Sequence, residues 1–326
     1  MSELLARVAR GVDTALDRSV LLGYSRIGYA VRRALPTWPA DLPAGALSGT
    51  EIAVTGATSG LGAATATQLV ALGAHVQLVV RNVDKGAEVA ASLAVAAGSE
   101  TATVWECDLA DLASVRDFAD RFVASGRPMH GLVHNAGALP ATRSESAQGH
   151  ELTMALHLLG PLAMTDALAG PLGASRARVV LVTSGGMYAQ RLRADDPEYL
   201  DGPYSGATAY ARSKRAQVEL LPRLHARWAP LGMSVYATHP GWAATPGVTE
   251  SIPAFASMTR PILRDADAGA ETTTWLLGAS PRPPGGGLWH DRRERPTTYL
   301  PSTRTTERER EVMWRWALSA AGLPTP

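Results

Sequence analysis

A tyrosine and a lysine four residues apart, in Tyr210-Ala211-Arg212-Ser213-Lys214, are the most chemically suggestive pair in this 326-residue chain. On a helix that spacing sets phenol and ammonium on one face, one turn apart. An unperturbed phenol titrates near pH ~10, and a nearby cation favours phenolate, so such a pair can give and take a proton. The lysine is informative because Lys85 and Lys214 are the only lysines among 31 basic residues. A chain that writes arginine almost everywhere keeps a compact ammonium at 214, which a broad guanidinium cannot imitate. Ser184, in Val182-Thr183-Ser184-Gly185-Gly186, closes an apolar run, where its hydroxyl can hydrogen-bond a carbonyl oxygen. A surface tyrosine–lysine pair is the plain alternative. The order of these residues behind a glycine-rich turn argues against it.

That turn is Thr55-Gly56-Ala57-Thr58-Ser59-Gly60-Leu61-Gly62, a Gly-x-x-x-Gly-x-Gly between an apolar run and a helical one. Glycines there let the backbone bend sharply and approach a pyrophosphate, whose charge is met by amides at the helix N-terminus. A dinucleotide site is therefore expected, with Gly56, Thr58, Ser59, Gly60, Leu61 and Gly62 along it. The next strand ends Val80-Arg81-Asn82 with no carboxylate before Asp84. An acid there suits the ribose hydroxyl of NAD, whereas an arginine suits the 2′-phosphate of NADP, so NADP is expected over NAD. Asp108-Leu109 ends the third strand, where an adenine can lie; Asp108 can equally cap the helix starting near Asp111.

The elements that must hold these residues alternate short apolar runs with longer helical segments from about residue 50, the pattern of βα units on a parallel sheet. Strands are expected at Glu51–Thr55, His75–Val80, Thr101–Trp105, Gly131–His134, Arg178–Thr183, Met233–Thr238 and Gly287–His290. Helices are expected at Asp84–Ala96, Asp111–Ser125, Ser146–Ala169 and Ala207–Trp228, the last with Pro222 as a kink. The fold class is α/β, one doubly wound parallel sheet of about seven strands with helices on both faces. Residues 1–48 form an N-terminal helical extension, 49–300 the dinucleotide-binding domain, and 301–326 a C-terminal helix and tail, with Thr306 and Glu309 as a capping box. In residues 1–36, Leu4, Val8, Val12, Leu16 and Val20 recur at helical spacing, with six arginines against three acids. Two readings stay open: a helix packed on the domain's own surface, or a basic amphipathic helix that touches membrane or caps a lipophilic entrance.

Composition narrows the classes. Thirty-one basic and 30 acidic residues leave a formal charge of +1, and 46% of residues are hydrophobic, enough for a sizeable core. Near-neutrality argues against disorder and against nucleic acid as a partner. Cys107 is the only cysteine, so an intramolecular disulfide and a cysteine-based metal site are excluded, and no metal is expected. The uncharged stretch from Ile52 to Val80 is long enough to span a bilayer, but Gly56, Gly60, Gly62 and Gly73 fall at its turns. With no secretory signal pattern at the start, a reducing, cytoplasmic location is expected, peripheral to a membrane under the second reading of residues 1–36.

Taken in order, the glycine turn, His134-Asn135-Ala136-Gly137, Ser184, Tyr210 with Lys214, and His239-Pro240-Gly241 resemble the short-chain dehydrogenase/reductase family across roughly residues 48–300. Ser184-Gly185-Gly186-Met187 and the run from His239 to Val248 look most like the dehydrogenase/reductase family member 12 subgroup. The interval from Ser184 to Tyr210 also resembles retinol-dehydrogenase-like members. The resemblance implies a Rossmann-type fold and an oxidoreductase that interconverts carbonyl and alcohol. It implies that Tyr210 is the acid–base group, that Ser184 polarises the carbonyl, and that Lys214 lowers the tyrosine pKa and holds the nicotinamide ribose. Asn135, Ala136 and Gly137 would line the cofactor cleft, and Pro240, Gly241 and Thr245 would pass the nicotinamide and phosphates. Family members often pair through the helices carrying His157 and Tyr210, which implies a dimer or tetramer. One departure stands out: His157 occupies a position where the family usually has asparagine, whose backbone carbonyl holds a water of the proton relay. His157 either serves the same way or alters the relay. From Trp242 to Leu263 the chain carries Ile252, Pro253, Phe255, Met258 and Ile262, an apolar substrate loop that points to a lipophilic ketone, aldehyde or alcohol. A nucleotide-binding scaffold without turnover is the second reading. A sugar-nucleotide epimerase is disfavoured by the glycine spacing and by the lack of a large C-terminal substrate domain.

Overall fold

Apolar runs long enough for one buried strand each become the centre of the molecule, as fully covered parallel strands require. The structure, a computed structural model, describes residues 3–243 and 262–325. Strands β1 (Glu51–Thr55), β2 (His75–Val80), β3 (Ala102–Glu106), β4 (Gly131–His134), β5 (Arg178–Val182), β6 (Ser234–Thr238), β7 (Leu288–His290) and β8 (Arg293–Arg295) form one sheet. Its order is β3-β2-β1-β4-β5-β6-β7-β8. The first seven strands run parallel, and β8 returns antiparallel to β7 through Asp291 and Arg292, both at positive φ. The eighth strand was not expected, because Arg293-Glu294-Arg295 carries no apolar signal.

Helices cover both faces. On one side lie α4 (Gly60–Ala71), α5 (Val83–Ala97) and α11 (Ala266–Gly278), with Leu69, Leu93 and Leu276 in one apolar cluster. On the other lie α6 (Leu112–Ala124), α8 (Gly160–Ala167), α10 (Gly206–Trp228) and α12 (Glu307–Ala320), with Phe118, Leu162, Leu220 and Trp314 in a second cluster. Pro222 does not interrupt α10, which runs through it unbroken. At α12 the expected capping box is present, with Thr306 and Glu309 bonding each other's backbone amides.

Two expected helices divide. The segment from Ser146 to Ala169 begins as a turn closed by a bridge between Glu145 and Glu151. The Glu151 carboxylate then accepts from Met154 N at 2.8 Å and starts α7 (Leu152–Met154). A π-helical turn at Ala155–Leu159 follows, then α8 and the short α9 (Ala169–Ala174). Gly160 fits there because a side chain would strike the Leu109 carbonyl, 2.0 Å from its Cβ position. The N-terminal extension is three helices, α1 (Glu3–Arg18), α2 (Val20–Gly23) and α3 (Arg26–Ala34), with Ser25 capping the third.

Candidate active site

The chemistry-bearing residues stand at the C-terminal ends of the central strands, where open α/β sheets bind ligands. Leaving β1, the chain turns through Gly56 at φ +65°, and a Cβ there would lie 2.8 Å from Ala136 Cα. At Gly62 a Cβ would lie 2.3 Å from the Gly56 carbonyl oxygen and 2.5 Å from Asn135 Nδ2. Both glycines are therefore required by close approach. The Asn135 side chain donates to the Thr55 and Gly56 carbonyls at 3.1 and 3.2 Å, tying the ends of β1 and β4 together. Thr55 Oγ1 accepts from the amides of Asn135 and Ala136, both at 3.0 Å. Ser59 holds the N-cap position of α4, yet its hydroxyl caps no amide, which leaves the first turn open to an anionic group. Arg81 is exposed after β2 and, among the described residues, makes no hydrogen bond or ion pair. A cradle shaped by glycine, an uncapped helix start and a free arginine fit a dinucleotide phosphate.

Asp108 accepts from Ala110 N at 3.0 Å, while Asp111 caps α6 through Ala113 N. The capping role therefore belongs to Asp111. Leu109 is buried, with its carbonyl against Gly160.

Ser184 follows β5 and caps a short turn by accepting from Gly186 N at 3.3 Å. Ser184 also lies close enough to Tyr210 to influence the titration of its phenol. Burial pushes the Tyr210 phenol up, and the contact with Ser184 opposes this. Lys214 is 2% exposed, and its ammonium donates to the Val182 carbonyl at 2.8 Å. Burial pushes this ammonium down to about 7. Its Nζ lies 5.6 Å from the Tyr210 ring centroid. The cation that the sequence assigned to the phenol is thus turned to a backbone carbonyl, and burial sets the tyrosine's direction.

Sequence comparison agrees with this geometry. Residues 50–254 match the family model described as short chain dehydrogenase. Dehydrogenase/reductase SDR family member 12 of Bos taurus is 34% identical over 258 residues, 78% of this chain and 80% of that protein. The chain is a short-chain dehydrogenase/reductase. Retinol dehydrogenase 12 of Homo sapiens is 29% identical over 280 residues, 85% of this chain and 88% of the relative. Among solved structures, a protein from Mycobacterium Paratuberculosis superposes with a TM-score of 0.68 at 26% identity, covering 88% of this chain and 97% of the other. A short chain dehydrogenase from Burkholderia cenocepacia J2315 in complex with NADP gives 0.61 at 26% identity, covering 74% and 96%. This short-chain dehydrogenase/reductase is accordingly an NAD(P)-dependent oxidoreductase.

Within that family scaffold, His157 is held on every side. It is fully buried in the π-helical turn, its ring edge-on to Tyr210 with centroids 5.2 Å apart. Its Nε2 accepts from Ala138 N at 3.3 Å, and its Nδ1 pairs with Ser213 Oγ at 2.7 Å. Since Ser213 Oγ donates to the Tyr210 carbonyl, it must accept from His157, which fixes the neutral Nδ1–H tautomer. Burial, and then the charge of Lys214, hold the imidazole well below its ordinary pKa. The His157 carbonyl, the atom that the resemblance implicates in holding water, accepts from Gln217 Nε2 at 2.5 Å. One of its two lone pairs is therefore already used. Gly137 faces His157 Nε2 at 3.1 Å from its Cβ position, which couples the cofactor cleft to this network.

Several site residues had no sequence signal. Gln217 and Ser213 reach the site only because α10 faces the π-helical turn, and Thr55 only because β1 adjoins β4. Tyr24, from the extension, packs edge-on to His239 with ring centroids 4.2 Å apart, and its carbonyl accepts from Trp242 N at 2.8 Å. A Cβ on Gly185 would lie 3.2 Å from the Tyr24 ring and 2.8 Å from His239 Nε2. Pro240 is half-buried and leads into Gly241, whose φ of +77° presses its backbone against Arg264. Thr245 and most of the expected substrate loop lie outside the described residues.

Proposed function

We propose that this chain interconverts a carbonyl and an alcohol on a lipophilic substrate with NADP(H), using Ser184, Tyr210 and Lys214. The observation that carries the reading is the desolvated Lys214, whose ammonium bonds the Val182 carbonyl two residues before Ser184 and lies 5.6 Å from the Tyr210 ring centroid, at the sheet's C-terminal edge. The nicotinamide, when bound, supplies or accepts the hydride. Ser184 orients the substrate oxygen, and Tyr210 gives it a proton in reduction or takes one in oxidation. Lys214 is the one ammonium available to favour phenolate and to hold the ribose. Arg81 favours NADP through charge-assisted bonds to the 2′-phosphate. The apolar residues from Ile252 to Ile262 support a lipophilic substrate, as do relatives named retinol dehydrogenases. A reducing, cytoplasmic setting fits Cys107, a free, buried thiol that burial pushes up to about 12.

Helix pairing of the kind the resemblance implies meets an obstacle. The α12 helix lies on α10, where Arg310 bonds Glu219 at 2.9 Å and Arg223 pairs with Glu311 and Glu307. We infer that any dimer or tetramer forms without that stretch of α10.

The test follows NADPH oxidation with a panel of hydrophobic ketones and aldehydes. Wild type turns over, and Tyr210→Phe retains NADP affinity while losing at least ~100-fold in kcat. A variant with near-normal turnover removes Tyr210 from the mechanism. The capped His157 carbonyl favours the second reading, a nucleotide-binding scaffold. Tight NADP binding without turnover by wild type on any substrate would select it.

A further inference from the structure

An amphipathic helix that merely packs on its own domain turns its apolar stripe inward. The α1 helix does the reverse. Its buried residues are Ala9, Asp13 and Asp17, while Leu4 and Val8 are 71% and 57% exposed and Val12 is also exposed. Leu22 and, in α3, Ile27 and Val31 are exposed apolar residues as well. The spacings 4, 8, 12 and 27, 31 keep each set on one helical face.

Charge is sorted along with it. Asp13 bonds Arg32 at 2.9 Å and Arg295 through both oxygens at 2.9 Å, and Asp17 pairs with Arg295 at 3.4 Å. Facing inward, these acids spend their charge on buried arginines. Outward stand Arg7, Arg10, Arg18, Arg26 and Arg33 against Glu3 alone. Only Arg33 has an acidic neighbour among the described residues, Asp41 at 3.9 Å. A chain whose overall charge is +1 has thus gathered five cations and an apolar stripe on its first 34 residues.

We propose that α1–α3 dock this protein on an anionic lipid bilayer, with the leucine, valine and isoleucine face entering the headgroup boundary and the arginines paired with lipid phosphates and carboxylates. Charge decides the occupant. Two copies meeting through this face would set arginines against arginines, whereas an anionic surface satisfies all of them. The docked layer adjoins the catalytic end of the sheet, because Tyr24 packs beside Gly185, next to Ser184. If the oxidoreductase reading holds, a substrate dissolved in the bilayer meets the protein near its cleft. The docking itself does not depend on that reading.

The test is flotation of the full chain with vesicles of phosphatidylcholine alone and of phosphatidylcholine with phosphatidylserine, at low and at ~0.5 M salt, where the Debye length falls to a few ångströms. The expected result is binding to phosphatidylserine vesicles, weak binding to phosphatidylcholine alone, and partial release by salt. Arg7→Ala with Arg10→Ala removes two exposed cations and lowers affinity about 25-fold, at roughly fivefold per arginine. Val8→Ser with Val12→Ser lowers it at least ~10-fold. All four side chains are exposed, so both variants melt like wild type and serve as folded controls. Failure to float with anionic vesicles, or floating that neither variant weakens, overturns the proposal. So does a dimer in solution that Val8→Ser with Val12→Ser dissolves while vesicles bind nothing, which assigns the face to a second copy. Turnover enters none of these measurements, so they stand apart from the test of the oxidoreductase reading.

Discussion

Asp291 is the joint between the N-terminal helices and the sheet, and Asp291→Asn isolates its charge. Its Oδ1 accepts from Arg264 Nη1 at 2.6 Å, and its Oδ2 accepts from Arg264 Nη2 at 2.9 Å and Arg32 Nη1 at 2.7 Å. All three side chains are 1% exposed. Burial works against the carboxylate's charge, yet the positive groups around it hold its carboxyl below the usual range. Asparagine keeps the size and tolerates the positive φ of this position, so the backbone is not disturbed. What it removes is one negative charge between two buried guanidiniums, and it turns an N–H toward them. Breaking a buried pair in this way costs about 3–5 kcal/mol. Unfolding entropy of ~2.1 cal/mol/K per residue gives roughly 0.7 kcal/mol/K for the whole chain, so Tm should fall by about 4–7 °C. Calorimetry of wild type and Asp291→Asn at pH 7.5 measures it, with Arg33→Ala, at an exposed pair, as a control expected within ~1 °C. An Asp291→Asn melt within 1 °C of wild type would falsify the view that this ion cluster holds the extension in place.

Further outcomes follow from the site. Lys214 is charged in the unfolded chain up to pH ~10.5 but only to about 7 when folded, so the unfolded chain binds more protons between those values and wild-type stability rises with pH there. Lys214→Met escapes the penalty: it should melt higher at pH 6.5, by up to about 4 kcal/mol in stability, with the advantage shrinking by pH 9. Equal melting at both pH values would show that the lysine is not desolvated. Arg81→Asp should abolish or reverse a preference for NADP over NAD of at least ~10-fold in wild type, read as Kd for each at one ionic strength. A variant that still prefers NADP would hand the 2′ position to another group. His157→Ala leaves the Ala138 amide without its acceptor and should cost about 1–3 kcal/mol in denaturant melts. Because the imidazole is locked neutral, the pH profile of kcat/KM should keep its shape in this variant. Loss of one limb would mean that His157 titrates in the reaction after all.

The parallel strands were legible to within one residue because most are buried on both faces and so read as unbroken apolar runs, while the half-buried edge strand β3 still carries Val104 and Trp105. Ser184, Tyr210 and Lys214 stood out as candidates for a different reason: residue type and order along the chain, with the tyrosine and lysine one helical turn apart. The β8 strand was not, since its pairing rests on a two-residue turn and its arginines on acids some 280 positions away. Nor was the break in the Ser146–Ala169 segment. Nothing local forbids a continuous helix there; the capping carboxylate of Glu151 and the approach of Gly160 to Leu109 decide it. The sequence exposed the exchange at His157 but not its meaning, which lies in Ser213, Gln217 and Ala138 closing around it. For the extension, helical spacing found the stripe correctly. The direction it faces was set by Arg295 and Arg32, which draw the acidic side of α1 inward.

The ion cluster also imposes an order on biosynthesis. Arg32 and Asp13 leave the ribosome long before their partners Asp291 and Arg295, which come 259 and 282 positions later respectively. Through most of translation Asp13 has Arg32 but not Arg295, and Arg32 lacks Asp291. The first helices can close onto the sheet only after β7 and β8 add its last edge. The final contacts of this fold are therefore among its most distant in sequence, which makes closure of the extension a late and slow event. A ribosome-bound chain arrested before residue 291 should hold a formed glycine turn and central strands beside an N-terminus that proteases still reach, and synthesis through Asp291 and Arg295 should protect it.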